Sequence, residues 1–239
     1  MTENVLITGG TRGIGKAMVF AFAKAGYRVF FTYQSSKDLA DEIEKETGAL
    51  GFAVDFENVQ NVTDFCGRFS LEFGGADVLI YNAGISQYGL IQDVSELDFD
   101  RLFNVNFKSP FFLTQKLIPS MIAKHRGTVI NVASIWGETG ASCEVLYSSA
   151  KGALIAFTKA LAKELAPSGI AVNCISPGVV DTDMMARFSH EEKLAITEEI
   201  PAGKFVDADE IASLALYLAN NSTPSFTGQV LGLNGGMYC

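Results

Sequence analysis

Histidine is scarce in this chain: its 239 residues hold two, His125 and His190. The stretch His190-Glu191-Glu192-Lys193-Leu194 lacks the second histidine of a zinc-protease helix, so no metal site is expected. Four cysteines, Cys66, Cys143, Cys174 and Cys239, form no close pairing motif and read as separate thiols in a reducing compartment rather than as a disulfide framework. There is no Ser/Pro-rich tract and no long run of one charge sign, which argues against a long disordered stretch. No apolar run reaches the ~20 residues needed to cross a bilayer. The opening Met1-Thr2-Glu3-Asn4 lacks the basic lead and apolar stretch of a signal peptide, so a soluble cytoplasmic protein is expected. Positive charge is also in deficit, with 18 Lys and Arg against 27 Asp and Glu, a formal net charge of −9. General binding to nucleic acid or to an anionic membrane is thereby disfavoured, since both need a positive field. The expected partner is a small molecule or another protein.

Apolar material is plentiful, at 48% of the chain, and its arrangement is periodic. Short β-rich runs fall at Val5–Thr8, Tyr27–Thr32, Leu50–Val54, Val78–Tyr81, Thr128–Val132, Ile170–Ile175 and Gln229–Leu231. Between them lie helical patterns near residues 13–25, 37–47, 59–73, 99–122, 147–166 and 207–219, several closed by Gly or Pro. This is the rhythm of repeated βαβ units. It predicts a single α/β domain over 1–239: a Rossmann-like, doubly wound, seven-stranded parallel sheet with helices on both faces. Residues 181–206 interrupt the rhythm just before the last strand. In a fold whose ligands sit beyond the carboxyl ends of the strands, that stretch is well placed as a lid, and it reads equally as a solvated helical hairpin.

The first strand runs into Thr8-Gly9-Gly10-Thr11-Arg12-Gly13-Ile14-Gly15 and then a helix. Such a turn needs glycine for positive φ and for close approach of backbone to a pyrophosphate at a helix N-terminus. Gly9, Gly13 and Gly15 are spaced G-x-x-x-G-x-G rather than in the commoner G-x-G-x-x-G. At the end of the second strand, where an NAD site places a carboxylate against the ribose 2′-hydroxyl, the chain reads Tyr33-Gln34-Ser35-Ser36-Lys37. With Ser35 and Ser36 as hydroxyl donors, and Arg12 and Lys37 as sources of positive charge, a 2′-phosphate is favoured, hence NADP(H).

Tyr147-Ser148-Ser149-Ala150-Lys151 sets a phenol and an ammonium four residues apart on one helix face. A free phenol has a pKa of about 10, and a nearby cation favours the phenolate, bringing the acid toward working pH. Taken with Asn82-Ala83-Gly84 after the fourth strand, Asn106, Ser134 thirteen residues before Tyr147, and Pro177-Gly178-Val179-Val180-Asp181-Thr182, the motifs resemble the short-chain dehydrogenase/reductase family in their order along essentially the whole chain.

That resemblance implies a catalytic group of Asn106, Ser134, Tyr147 and Lys151. Tyr147 would protonate a carbonyl oxygen as a nicotinamide supplies hydride, and Ser134 would hydrogen-bond the same oxygen. Lys151 would hold the nicotinamide ribose and lower the Tyr147 pKa, and Asn106 would anchor a water leading to solvent. Cofactor contacts would come from Gly9, Thr11, Arg12, Gly13, Ile14, Gly15, Ser35, Ser36, Asp55, Asn82, Ala83, Gly84, Pro177, Gly178, Val180 and Thr182, together with Tyr147 and Lys151. Asp55 would meet the adenine edge or cap a helix, Thr182 would meet the carboxamide, and Asn82 would brace the sheet.

Within the family the chain is most similar to 3-oxoacyl-acyl-carrier-protein reductases, in Ile200-Pro201-Ala202-Gly203 and in the ending Gly228-Gln229-Val230 to Asn234-Gly235-Gly236-Met237. This implies a homotetramer of the kind used in fatty acid biosynthesis, reducing a carrier-bound 3-oxoacyl thioester, with acyl carrier protein as partner. Ser168 stands where those reductases commonly carry a basic residue, although Lys124-His125-Arg126 offers another basic cluster for an acidic carrier. The stretch from Ser134 to Glu144, with Trp136 and Glu144, resembles instead the reductases acting on an aminopentanone-modified lysine of elongation factor P. Glu144 would attract the substrate amine or would simply cap the catalytic helix. A regulatory protein that binds NADPH without turnover is a third possibility.

Overall fold

In the computed structural model, which describes residues 2–182, 185 and 188–239, strand β1 (Asn4–Ile7) sends Val5 and Ile7 into one apolar cluster and Leu6 into another on the opposite face. The same alternation continues in β2 (Arg28–Tyr33), where Val29 and Phe31 oppose Phe30, and in β4 (Val78–Tyr81), where Val78 and Ile80 oppose Leu79 and Tyr81. Since both faces are covered, the strands read as continuous apolar runs. With β3 (Leu50–Ala53), β5 (Gly127–Val132), β6 (Ile170–Pro177) and β7 (Val230–Leu233) they form one parallel sheet in the order β3-β2-β1-β4-β5-β6-β7.

The helices follow as α1 (Gly13–Lys24), α2 (Lys37–Thr47), α3 (Val59–Phe73), α4 (Glu96–Phe103), α5 (Ser109–Lys124), α6 (Trp136–Thr139), α7 (Val145–Leu165), α8 (His190–Glu198) and α9 (Ala208–Asn220). Helices α1, α2 and α9 cover one face of the sheet, through Met18, Phe22, Ile43 and Ile211 among others. Helices α3, α5 and α7 cover the other, through Phe65, Phe69, Leu113, Leu117 and Leu165. Each such side chain taken out of water contributes about 1.5–3 kcal/mol. Among the described residues no helix is long and apolar enough to cross a membrane.

The seven strands lie within two residues of the positions predicted from sequence. The helical pattern at 99–122, however, resolves into α4, a π-helical turn at Asn104–Lys108, and α5. The π turn inserts an extra residue into the ladder where Asn106 binds a distant loop. Helix α6 was not predicted. It lies against α7 because Gly137 has no side chain: a Cβ there would fall 2.8 Å from the Lys151 carbonyl carbon and 3.0 Å from the Gly152 nitrogen.

Strand order reverses between β1 and β4, which opens a crevice at the carboxyl edge of the sheet. Residues 181–206, predicted as a lid, contain α8, and their last residue, Val206, forms a parallel bridge with Val180 just before them. Within that stretch Asp183, Met184, Ala186 and Arg187 lie outside the described residues.

Gly137→Ala should force α6 off α7 and lower stability by about 1–3 kcal/mol. Equilibrium urea unfolding measures this, and an unchanged midpoint would mean that the two helices can separate without loss.

Candidate active site

A cavity of about 740 Å³ lies over the crevice and is lined from the turns that leave β1, β2, β4, β5 and β6. Its floor is stapled by polar groups. Asn82 Nδ2 donates to the carbonyls of Thr8 and Gly9, both at 3.1 Å, while Thr8 Oγ1 accepts from the Asn82 and Ala83 amides, both at 3.0 Å. The ends of β1 and β4 are thus locked together at the topological switch point, the bracing role predicted for Asn82. Gly9, at φ 70°, leaves room for this: a Cβ there would meet Ala83 Cα at 3.0 Å. Gly15 sits behind the cavity, where a Cβ would strike the Gly9 carbonyl and Asn82 Nδ2.

The nucleotide end fits a phosphate-bearing cofactor. Helix α1 starts after Arg12 with no side-chain cap, unlike α3, α4, α8 and α9, so its first amides remain for an anion. Gly9, Thr11, Arg12, Gly13 and Ile14 line the cavity there. At the end of β2, Arg12 Nη2 donates to Ser36 Oγ at 2.9 Å, and Ser35 lies alongside, so a guanidinium and two hydroxyls share the place where a 2′-phosphate would sit. Lys37 does not join them. Its ammonium is instead 2.7 Å from Asp41, one turn along α2, in an exposed pair. One carboxylate oxygen of Asp55, Oδ1, accepts from the Glu57 amide at 2.9 Å and from Gln34 Nε2 at 3.3 Å, and its neighbours Val54 and Phe56 line the cavity. Ala83, Gly84, Pro177, Gly178, Val180 and Thr182 all reach the cavity.

At the chemical end, Ser134 leaves β5, and Tyr147 and Lys151 lie on the first turns of α7; all three line the cavity. Lys151 is 4% exposed, and its Nζ donates to the Val132 carbonyl at 2.9 Å and lies 5.7 Å from the Tyr147 ring centre. Burial pushes its pKa down from 10.5 to about 8. The nearby Cys174 thiol, itself pushed up to about 12 by burial, stays neutral and is no counter-ion. An ammonium has three protons, and the carbonyl takes one. Ser134 Oγ accepts from the Trp136 amide at 3.2 Å, which leaves its own proton to donate.

Asn106 is buried beside them without lining the cavity. Its amide accepts from the Ile85 N–H at 2.9 Å and donates to the Ile85 carbonyl at 2.8 Å. Each polar end makes one bond to Ile85, and the side chain braces the loop after β4 where Gly84 passes close to Lys151 Nζ.

The substrate end holds residues that motif reading missed, including Tyr88, Phe188, Ile196 and Glu199, because none belongs to a fixed pattern, together with Met237 from the ending motif. Trp136 and Glu144 are there too. Glu144 occupies the N-cap position of α7, yet its side chain makes no capping hydrogen bond, and it is 9% exposed within the cavity wall. Capping is thus excluded as the use of its carboxylate.

The basic cluster predicted to receive an acidic carrier lies elsewhere. Lys124, His125 and Arg126 immediately precede β5, at the opposite edge of the parallel sheet from the cavity. Lys124 pairs with Asp77 at 2.7 Å and Arg126 with Glu3 at 2.9 Å.

Comparison with known proteins agrees with this architecture. The family described as short chain dehydrogenase matches residues 3–193. The chain is 41% identical over 243 residues, covering all of both proteins, to an uncharacterized oxidoreductase, YmfI, of Bacillus subtilis. It is 37% identical over 248 residues to the 3-oxoacyl-[acyl-carrier-protein] reductase FabG of Aquifex aeolicus, covering 98% of this chain and 96% of that one. It is 35% identical over 243 residues to the FabG of Staphylococcus epidermidis, again covering all of both. The chain therefore belongs to the short-chain dehydrogenase family of oxidoreductases, which work with a nicotinamide cofactor.

Proposed function

We propose that this oxidoreductase uses NADPH to reduce a ketone whose substrate also carries a positive charge, as in an aminopentanone-modified lysine of elongation factor P. The observation that carries the reading is Glu144, whose buried carboxylate lines the cavity three residues before Tyr147 and does not cap α7. Glu199 adds a second carboxylate, and the Trp136 ring offers a face on which an ammonium gains about 0.5–2 kcal/mol. Arg12, Ser35 and Ser36 support NADPH over NADH, because no carboxylate stands among Tyr33-Gln34-Ser35-Ser36 to accept a ribose 2′-hydroxyl.

A bound reduced nicotinamide supplies the hydride. Tyr147 gives its proton to the carbonyl oxygen, and the Ser134 hydroxyl donates to the same oxygen as charge builds on it. A donor fixed in advance around that oxygen is typically worth about 2.7–4 kcal/mol of barrier. Lys151 has two protons beyond the one given to Val132, available to the ribose and to the phenol. Asn106 acts through the loop it braces and is a positioning residue.

A second reading, reduction of a 3-oxoacyl thioester on acyl carrier protein, is favoured by the FabG names of relatives 34–37% identical. Against it stand the distance of the Lys124-His125-Arg126 cluster from the cavity, with Lys124 and Arg126 each paired to a carboxylate, and the uncharged Ser168. The Phe107, Phe111 and Phe157 cluster on the outer side of α5 and α7 supports association into a homotetramer. Light scattering at a mass of four chains is the expected result.

The direct test follows NADPH oxidation with aminopentanone-modified elongation factor P, a small amino ketone and a carrier-bound 3-oxoacyl thioester. Turnover of the first two is expected, and turnover of the thioester alone would overturn the reading. Tyr147→Phe should remove turnover while NADPH affinity stays nearly intact; loss of neither would favour a different acid, and absence of turnover in the wild-type protein on every substrate would favour a cofactor sensor. Glu144→Gln should raise KM for the amino ketone by about tenfold, the loss of one charged contact, with an uncharged diketone unaffected.

Lys151 also sets a pH dependence. Its folded pKa of about 8 lies below the unfolded 10.5, so between those values the unfolded chain binds more protons and stability rises with pH. Below pH 8 the full burden of burying the charge is present. Urea midpoints of the cofactor-free protein should therefore increase from pH 8 to 10, and Lys151→Met should lose that increase.

A further inference from the structure

The cavity mouth is surrounded by apolar side chains that a small substrate does not need. Leu90, Ile91 and Leu97 are exposed along the loop after β4 and the start of α4, Ile91 at 66% and Leu97 at 77%. Tyr88 joins this patch from the cavity wall, Val145 from the first residue of α7, and Leu194 from α8. These elements are fixed rather than loosely draped. The Gly89 amide donates to the Cys143 carbonyl at 2.8 Å, Ser95 and Asp98 close a capping box on α4, and Val94 and Phe103 pack with Leu102, Leu146 and Ala150 in a small core of their own. A rigid platform with apolar side chains facing outward marks an interaction surface.

Its charge identifies the partner. The three stretches 84–100, 141–149 and 188–200 together contain nine acidic residues and one lysine, Lys193. Asp93, Glu96 and Asp100 are exposed on one side of the mouth, and Glu191, Glu198 and Glu199 on the other. Arg101, next along α4, is already paired with Glu57 at 2.8 Å. Such a rim repels an acidic carrier and draws in a basic surface.

We infer that Leu90, Ile91 and Leu97, with the acidic residues flanking them, form the docking face for a basic protein segment that presents the keto side chain to the cavity. This rests on the proposed cationic-ketone reading and extends it: the substrate is recognised as part of a macromolecule, with apolar contact supplying the anchor and the acidic rim supplying orientation and encounter rate. The rim accounts for charges that the cavity interior leaves unused.

The test uses three probes with the full-length protein and NADPH: a small free amino ketone, a short Lys/Arg-rich peptide with one side chain ending in the same amino ketone, and a matched peptide with Glu in place of its Lys and Arg. The basic peptide should show a kcat/KM at least about tenfold above the other two, an advantage that fades with added salt as exposed charges are screened. Asp93→Lys with Glu96→Lys, and separately Ile91→Ser with Leu97→Ser, should erase the advantage through KM while turnover of the small ketone is kept, which also shows that the variants are folded. Equal efficiency on all three probes would overturn the docking face and leave the cationic-ketone reading standing. No turnover of the small amino ketone alongside turnover of a 3-oxoacyl thioester would sink the underlying reading itself, and the docking face with it. A fall in mass by light scattering in Ile91→Ser/Leu97→Ser, with peptide preference unchanged, would assign the face to a second copy of this chain and overturn the inference.

Discussion

The Lys151 ammonium is buried at the carboxyl edge of the sheet, and among the described residues no carboxylate is paired with it: the Val132 carbonyl holds one proton, and the neighbouring thiol of Cys174 stays neutral. A charge in that position is expensive, and the lowered pKa of about 8 expresses the strain. Much of the surrounding structure serves to keep it there. Gly137 lets α6 close over the Lys151 backbone, Gly84 lets the loop after β4 pass beside Nζ, and Asn106 holds that loop by both ends of its amide. Removing any of these leaves the ammonium free to swing toward water, where it would no longer sit 5.7 Å from the Tyr147 ring.

The sheet makes this placement possible. Its alternating side chains feed two apolar layers, so the strands are fixed in register from both faces, and their carboxyl ends become rigid points from which short loops depart. At the switch point between β1 and β4 the Thr8 hydroxyl and the Asn82 amide bind the two loops to each other. The glycine turn after β1 and the Ser134, Tyr147 and Lys151 side chains therefore belong to one frame, although they come from positions as far apart in sequence as Gly9 and Lys151. A cofactor spanning that frame needs no rearrangement of the core to meet both.

Much of this was legible in the sequence for a physical reason. A parallel sheet covered on both sides requires continuous apolar runs, and those runs located the seven strands. What depends on distant partners was not legible. The pattern at 99–122 looked like one helix because its apolar periodicity carries no trace of the π turn, which accompanies a pairing between Asn106 and Ile85 in another element. The ion pairs of Lys37, Lys124 and Arg126 were not legible because charge is visible in sequence and its pairing is not: Asp41, Asp77 and Glu3 are the partners, two of them from remote segments. The bonds that one oxygen of Asp55 accepts from Glu57 and Gln34 were not visible either. Glu144 was balanced between cap and pocket until the backbone settled where its carboxylate lies.

The resulting cavity is electrically two-ended. Arg12, the uncapped start of α1 and the Ser35 and Ser36 hydroxyls make one end attractive to anions, while Glu144 and Glu199 make the other attractive to cations, with Lys151 between them. Low-dielectric walls strengthen both fields and keep them from cancelling within the cavity. Under the proposed reading, such a field would favour the cofactor orientation that keeps its phosphates away from the carboxylates, and would favour a cationic ketone over an anionic substrate at the other end. On that reading the same separation of charge would both orient a phosphate-bearing cofactor and favour a cationic ketone, with Glu144 in the cavity wall rather than capping α7.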